Sequence, residues 1–195
     1  MNTSERYDAI YTADPHKWQD ESRDAFAYEV IDDFLFNPRA CLDYGCGNGH
    51  TIEYFRKRWK DTKFVGVDIS HEAICLAAQH NTGVEFHCNY EHKLLPYRPF
   101  DVILVMGVAE HFTDLRKGLK EVKDLLAPGG LAYLECPNNL AMSGRQEEGW
   151  FASQSQEEWH LRRQTWEDIL EEIGFKITER YLGDRPAWEF VWVLG

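Results

Sequence analysis

The sequence lacks three features that would assign it to a common class of protein. Its longest apolar run, Val102 to Ala109, is far shorter than the roughly 20 residues that a membrane-spanning helix needs. It has only 21 Lys and Arg against 33 Asp and Glu, which argues against a duplex nucleic-acid partner because such proteins carry a basic face. No two cysteines have the CxxC spacing of a zinc site. The five cysteines are therefore expected to be reduced, buried side chains.

The first residues, MNTSERYDAI, are polar and do not resemble the apolar core of a signal peptide. We therefore expect a cytoplasmic protein without a membrane partner. A length of 195 residues suits one domain, and no Pro-rich or Ser-rich linker interrupts the chain. The sequence predicts a single domain over 1–195, in which 1–36 form an N-terminal cap and helix and 137–164 form a long loop.

Apolar, β-branched segments alternate along the chain with amphipathic ones, as in parallel βαβ units. The predicted strands are 40–44, 63–68, 84–88, 100–106, 130–136, 175–181 and 188–194. The predicted helices are 20–36, 50–59, 71–80, 114–126 and 165–173, the last with an N-cap at Thr165 and Asp168 and a stop at Gly174. Only a short turn separates the last two strands, which predicts an antiparallel hairpin. The pattern indicates an α/β fold.

The segment CLDYGCGNGH, Cys41 to His50, places three glycines between a predicted strand and a predicted helix. Glycines at this point let the backbone approach a ligand closely. Dinucleotide sites prefer the spacing GxGxxG, whereas Gly45, Gly47 and Gly49 have the spacing GxGxG. The acid at Asp43 would repel a pyrophosphate and would suit a cationic group such as an α-ammonium. The motif therefore favours a ligand with an amino acid group over a dinucleotide.

A second acid, Asp68, ends the next predicted strand in the segment VGVDIS. A carboxylate at this position can accept hydrogen bonds from both hydroxyls of a ribose. The alternative is that Asp68 only caps the following helix. An amino acid and a ribose together describe S-adenosyl-L-methionine.

These segments resemble the motifs of class I S-adenosylmethionine-dependent methyltransferases. LDYGCGNGH, VGVDIS, FDVILVMGVAEHFTD and LKEVKDLLAPGGLAYLECPN follow one another in the family's order over about 40–138. The resemblance implies a Rossmann-like, seven-stranded, mostly parallel sheet in the order 3-2-1-4-5-7-6, with an antiparallel last strand. It also implies S-adenosyl-L-methionine as the cofactor. The chain is most similar to the branch that methylates small molecules, such as quinones and natural products.

The resemblance implies a set of cofactor-binding residues. The glycine loop and the end of the fourth strand would surround the methionine part, the second acid would hold the ribose, and residues after the second and third strands would flank the adenine. The set is Asp43, Gly45, Cys46, Gly47, Gly49, Asp68, Ile69, Asn89, Tyr90, Met106 and Gly107. The family often has an Asp near Asn89, and this sequence has none. The segment with Tyr7, Tyr11 and Trp18 is expected to close over the cofactor.

Methyl transfer needs a base only when the acceptor must lose a proton. His111, just beyond the fourth predicted strand, is the first candidate, and His160 in the long loop is the second. A structural role is the alternative for each. Some relatives bind a divalent metal through a Glu-x-x-Glu-His set, but Gly107 stands where the first Glu would be. We therefore expect no metal.

The long loop, 137–164, is expected to lie on the acceptor side. Its aromatic residues Trp150, Phe151 and Trp159 predict an apolar acceptor pocket. Its arginines, Arg145, Arg162 and Arg163, could each pair with a carboxylate or phosphate or could be solvated. The leading hypothesis is a methyltransferase that acts on oxygen of a small molecule. The alternatives are an RNA or protein methyltransferase, a non-catalytic cofactor-binding module and, disfavoured by the glycine spacing, a nucleotide-linked oxidoreductase.

Overall fold

A computed structural model describes residues 3–17, 21–33, 37–88, 99–139, 143, 145–152, 157–182 and 189–195. The chain falls into two compact units, Met1–Leu104 and Val105–Gly195. They are described in turn. Among the described residues, no helix is both long enough and apolar enough to cross a bilayer.

The first unit contains alternating helices and parallel strands. In chain order they are α1 (Thr3–Ala13), α2 (Glu21–Asp33), β1 (Ala40–Tyr44), α3 (His50–Arg56), β2 (Lys63–Asp68), α4 (His71–His80), β3 (Glu85–Cys88) and β4 (Phe100–Met106), which continues into the second unit. β1 runs parallel to both β2 and β4, and β2 runs parallel to β3. The bounds predicted for β1, β2, α4 and β4 are confirmed. The predicted helix 50–59 ends earlier, at Arg56, and α1 was not predicted.

The core of this unit explains why its strands are apolar along their whole length. Leu42 of β1 and Val65 of β2 are fully buried, as expected for a parallel sheet that is covered on both faces. The ring of Phe55 from α3 stacks on Trp59 at 4.7 Å between ring centroids. Ser70 caps α4 by accepting a hydrogen bond of 3.1 Å from the N–H of Ala73. Because β1 and β2 are parallel, their carboxyl ends lie at the same edge of the sheet.

The second unit contains a short 3-10 helix and a mainly antiparallel set of strands. In chain order the elements are the 3-10 helix (Ala109–His111), α5 (Leu115–Leu125), β5 (Leu126–Pro137), β6 (Gly149–Ala152), β7 (Glu157–His160), α6 (Arg163–Ile173), β8 (Ile177–Leu182) and β9 (Glu189–Leu194). β9 is antiparallel to both β5 and β8, which confirms the predicted hairpin. The strand assigned to β5 begins at Leu126 and not at residue 130.

The seven-stranded sheet has the order β3-β2-β1-β4-β5-β9-β8. This is the predicted order 3-2-1-4-5-7-6, because two additional strands, β6 and β7, shift the numbers of the last two. The α/β, Rossmann-like prediction is confirmed. Whether 1–195 acts as a single domain stays a prediction.

The long loop was predicted without secondary structure, and this was wrong for 149–152 and 157–160. β6 and β7 form a separate antiparallel pair in which Trp150 lies opposite Trp159. Their rings meet edge to face at 5.2 Å between centroids. A cross-strand aromatic pair of this kind stabilises even short strands, although four-residue strands show little periodicity in the sequence.

The predicted start of the last helix was also wrong. α6 begins at Arg163, and Arg162 is its N-cap without a side-chain capping bond. Asp168 does not take part in a capping box because its carboxylate accepts a hydrogen bond of 2.8 Å from the Gln164 amide. The predicted stop at Gly174 is confirmed, with a φ of 94°.

Candidate active site

The glycine loop joins β1 to α3 and is fixed to the end of β2. Gly45, Gly47 and Gly49 all have positive φ angles, of 81°, 52° and 82°. The N–H groups of Gly45 and Cys46 both donate to the carbonyl of Val67, at 2.8 and 2.9 Å. Glycine suits these left-handed conformations because it has no Cβ. The loop therefore presents bare backbone at the carboxyl end of the sheet.

Asp68 at the end of β2 holds the glycine loop in place. Its Oδ2 accepts a hydrogen bond of 2.9 Å from the N–H of Gly47, and its Oδ1 accepts one of 2.8 Å from the N–H of Ser70. Burial raises the pKa of Asp68 to about 6, although the amides of Ser70 and Gly47 lower it. Each carboxylate oxygen has two lone pairs. Asp68 can therefore keep both backbone bonds and accept two hydroxyl donors as well.

Asp43 in β1 is a buried carboxylate with an unsatisfied oxygen. It is 2% exposed, and its Oδ2 has no hydrogen-bond partner among the described residues. Burial raises the pKa of Asp43 to about 7, with His50 lowering it and Asp68 adding to the rise. A buried acid of this kind is costly unless something compensates its charge. A cationic ligand group would provide that compensation.

The N-terminal helix α1 is attached to the turn that follows Asp68. The Ser4 hydroxyl donates to the carbonyl of Ile69 at 2.9 Å. One carboxylate oxygen of Asp8 accepts from the Ser70 hydroxyl at 2.6 Å and from the N–H of Glu72 at 3.1 Å. These bonds place α1 beside the predicted cofactor residues, as expected for a segment that closes over them.

Tyr11 of α1 lies against the glycine loop. It is 7% exposed, and a Cβ built on Gly47 would collide with its hydroxyl. Burial and the carboxylate of Asp68 raise the pKa of Tyr11 far above its usual range, so the phenol keeps its proton. Next along the chain, Asn48 donates to the carbonyl of Pro15 at 2.7 Å. Trp18 lies outside the described residues.

In the second unit, two buried glutamates lie beside Gly107, the residue that follows β4. Gly107 has a φ of 62° and donates from its N–H to the carbonyl of Glu135 at 3.1 Å. A Cβ on Gly107 would lie 3.6 Å from a carboxylate oxygen of Glu135 and 3.8 Å from one of Glu110. Both glutamates are buried. Two carboxylates therefore flank the backbone at which β4 ends.

His111 and His160 have different surroundings. The Nε2 of His111 lies 3.6 Å from Oε1 of Glu110, which is 2% exposed. His160 is 4% exposed; its Nδ1 lies 3.1 Å from the Ser143 hydroxyl and its Nε2 3.2 Å from Oε1 of Glu158. Both ring nitrogens of His160 are thus engaged within the fold.

The β6–β7 pair is attached to the 3-10 helix by an aromatic side chain. The indole N–H of Trp159 donates to the carbonyl of Phe112 at 2.8 Å. The ring of Phe151 meets the ring of His160 edge to face at 5.2 Å. The predicted aromatic residues therefore border the segment that carries His111.

The three arginines of the predicted loop all have protein partners. Arg162 pairs with Glu148 and also donates to the carbonyl of Gln146 at 2.9 Å. Arg163 lies 3.4 Å from a carboxylate oxygen of Glu167, and the guanidinium of Arg145 lies over the Phe151 ring at 4.2 Å. The arrangement lends no support to the idea that they bind an anionic acceptor.

The predicted site residues divide between the two units. The first unit brings together Asp43, Gly45, Cys46, Gly47, Gly49, Asp68 and Ile69, and the second holds Met106, Gly107, His111 and His160. Asn89 and Tyr90 lie outside the described residues. Cys46 is buried, and burial raises the pKa of its thiol, so it acts as packing and not as a thiolate.

Sequence reasoning missed several residues that support the loop. Asp8 and Ser70 connect α1 to α4, and Asn81, which is fully buried, donates from its amide to the carbonyl of Gly49 at 3.1 Å. An Asn at the end of a predicted helix was the one available signal, since Asn often occurs where a helix ends. Nothing in the sequence near Asp8 indicated a partner 62 positions away.

The residues at the ends of β1 and β2 fit S-adenosylmethionine. The unsatisfied oxygen of Asp43 suits the ammonium of its methionine part, and the remaining lone pairs of Asp68 suit its ribose hydroxyls. The bare backbone of the glycine loop allows a close approach.

Comparisons with known proteins agree with this geometry. The family model of the methyltransferase domain matches residues 14–180. Trans-aconitate 2-methyltransferase of Rhodopseudomonas palustris (strain BisA53) is 32% identical over 129 residues, which cover 64% of this chain and 48% of that protein. Ubiquinone biosynthesis O-methyltransferase of Bradyrhizobium sp. (strain ORS 278) is 34% identical over 101 residues, covering 50% and 39%. The chain thus spans about half the length or less of these two curated relatives.

Solved structures share the fold. The 1,6-didemethyltoxoflavin-N1-methyltransferase of Burkholderia thailandensis, with bound 1,6-didemethyltoxoflavin and S-adenosylhomocysteine, superposes with a TM-score of 0.70 at 18% identity. The superposition covers 100% of this chain and 90% of that one. Because the family match extends over most of the sequence, and the strand order is the one that the resemblance implied, the chain belongs to the methyltransferase domain family.

Proposed function

We propose that this protein transfers a methyl group from S-adenosylmethionine to an oxygen atom of a small molecule. The observation that carries the proposal is the pair of buried acids, Asp43 and Asp68, at the ends of adjacent parallel strands. The cofactor supplies an electrophilic methyl group on a sulfonium. The remaining work of the protein is to bind, align and exclude water.

Two carboxylates and several uncharged residues are proposed to contact the cofactor. Asp43 compensates the ammonium, and Asp68 accepts hydrogen bonds from the ribose while it holds the glycine loop. By the family resemblance, Ile69 would contact the adenine, and Met106 and Gly107 would contact the methionine part. Asn89 and Tyr90 remain candidates for the adenine edge from the sequence alone.

His111 is the proposed general base. It follows the end of β4, where ligands gather in open parallel sheets, and the buried carboxylate of Glu110 lies 3.6 Å from its Nε2. A carboxyl group at this distance can orient the imidazole for proton removal. His160 remains the second candidate, and its two engaged nitrogens favour a positioning role.

The acceptor is proposed to be neutral. Carboxylates of Glu110 and Glu158 lie beside His111 and His160, and that of Glu135 lies beside Gly107. The guanidinium groups of Arg145 and Arg162 have other partners. This environment suits a hydroxyl of the phenolic kind, as the named O-methyltransferase relative suggests, better than a tricarboxylate such as trans-aconitate. The five cysteines, none of which forms a disulfide, support a cytoplasmic location, and the excess of acidic residues argues against a nucleic-acid partner.

Transfer of radiolabelled methyl from the cofactor tests the proposal. The full chain is incubated with phenols, alcohols, carboxylic acids, amines, total RNA and a protein extract, and the products are separated. We expect label on hydroxyl-bearing small molecules. Label on RNA or protein alone would contradict the acceptor class, and cofactor binding without transfer to any acceptor would indicate a non-catalytic module.

A further inference from the structure

Three potential metal ligands lie together on the first turns of α4. The sulfur of Cys75 lies 3.7 Å from Nδ1 and 3.9 Å from Nε2 of His71. With a carboxylate oxygen of Glu72, the three residues offer one donor atom each, all within 4.8 Å of one another. His71 is exposed, and the other two are half-buried, so an ion can reach them from solvent.

The helix itself brings these donors together. Residues four positions apart lie on the same face of a helix, one turn from each other, which is the relation between His71 and Cys75. In a tetrahedral zinc site with Zn–N of about 2.0 Å and Zn–S of about 2.3 Å, the nitrogen and sulfur lie about 3.5 Å apart. The distance of 3.7 Å is close to this value. Because the sulfur is almost equidistant from both nitrogens, the exposed ring would have to rotate to direct one nitrogen at an ion.

The surroundings of the cluster favour a cation. The carboxylate of Asp8 accepts a hydrogen bond of 3.1 Å from the N–H of Glu72 and therefore lies beside the cluster. A second thiol, that of Cys88, lies at the end of β3.

We propose that His71, Glu72 and Cys75 form a binding site for a borderline-soft divalent cation of the zinc type. A thiol, an imidazole and a carboxylate are the ligand types of Zn²⁺, and three protein ligands leave one position open for water. The thiol loses its proton to the solvent when the ion binds. The site begins three positions after Asp68, on the helix to which Asp8 attaches α1, so an ion there also stabilises this attachment.

The test uses Co²⁺ as a spectroscopic substitute for Zn²⁺ on the tag-free, reduced full chain. Wild type is compared with His71→Ala, Cys75→Ser and the control His80→Ala, which removes an exposed histidine at the other end of the same helix. We expect one Co²⁺ per chain with a thiolate-to-cobalt absorption band, which Zn²⁺ displaces. Cys75→Ser should lose the band, and His71→Ala should weaken binding by about tenfold or more, whereas His80→Ala should match wild type.

Equal affinity in all four proteins, or binding without a thiolate band, would overturn the proposal. A band that survives Cys75→Ser and disappears in Cys88→Ser would also overturn it, because the thiol ligand would then lie on β3. Circular dichroism of each variant confirms that its helices are intact, so that lost binding reports on the ligands. Cofactor affinity is measured on the same samples, and its loss would bear on the proposed function but not on the metal site.

Discussion

The N–H of Gly47 donates a hydrogen bond of 2.9 Å to the carboxylate of Asp68. This bond connects the turn after β1 to the end of β2, two segments that are separated by 21 positions in the sequence. The acid that is proposed to hold the ribose is therefore also the acid that orients the glycine loop. The two halves of the proposed cofactor site form one hydrogen-bonded structure, and changes on either side should affect both.

Replacement of Asp68 by Asn should weaken binding of S-adenosylhomocysteine by about 1–3 kcal/mol, because a charged acceptor of hydrogen bonds is lost. Isothermal titration calorimetry measures the change. Asp61→Asn is the control, since Asp61 is exposed between α3 and β2. If Asp68→Asn bound as tightly as Asp61→Asn, the ribose assignment would be wrong.

Gly47→Ala should abolish most cofactor affinity. The backbone at residue 47 is left-handed, with a φ of 52°, and this conformation costs a residue that has a Cβ about 1–2 kcal/mol. The new Cβ would also collide with the hydroxyl of Tyr11. Gly83→Ala is a matched control: Gly83 has a φ of 84° and no neighbour within 4 Å of its built Cβ. Because only the backbone strain remains in that variant, Gly83→Ala should lose less stability in urea denaturation than Gly47→Ala and should keep its cofactor affinity.

The collision with Tyr11 can be tested separately. Addition of Tyr11→Phe to Gly47→Ala removes the hydroxyl that the Cβ would meet, so the double variant should regain part of the lost stability. Double-mutant cycles of the free energy of unfolding measure this coupling. Strictly additive effects would show that α1 does not rest on the glycine loop.

Stability should depend on pH through Asp43. An exposed Asp ionises near pH 4, whereas burial raises the pKa of Asp43 to about 7 in the folded protein. Between these values the folded state keeps a proton that the unfolded chain has released, so the contribution of Asp43 to stability falls as the pH rises. The side chain introduced by Asp43→Asn does not titrate. The free energy of unfolding of this variant should therefore rise relative to that of wild type between pH 4 and pH 7. A constant difference across this window would contradict the raised pKa.

His111→Ala should slow methyl transfer by about 10²–10⁴-fold, the usual contribution of a general base, and leave the affinity for S-adenosylhomocysteine unchanged. His80→Ala, an exposed histidine on α4, is the control. Turnover is measured with the best acceptor from the labelling experiment. A wild-type rate in His111→Ala would show that His111 is not the base, and His160 would then be the next candidate.

Much of the fold could be predicted from the sequence because the signals were local. The bounds of β1 and β2 came from short apolar runs, and Gly174 marked the end of α6 correctly. Asp43 and Asp68 were proposed as cofactor ligands because motif and strand end coincide within a few residues. Such signals need no knowledge of partners far away in the chain.

The elements that were missed depend on distant partners. α1 is held by the bonds of Ser4 and Asp8 to a turn more than 60 positions away, and the β6–β7 pair is stabilised by the contact of Trp150 with Trp159. The engagement of Arg162 by Glu148 likewise requires the folded chain. Tertiary contacts of this kind leave no periodic pattern in the sequence.

The central claim is that the acids at the ends of β1 and β2 select a cationic amine and a ribose over a pyrophosphate. Calorimetric titration of the wild-type chain with S-adenosylmethionine and, separately, with NAD tests it most directly. The account predicts saturable binding of S-adenosylmethionine, weakened in Asp43→Asn, and no binding of NAD. Binding of NAD without binding of S-adenosylmethionine would contradict it.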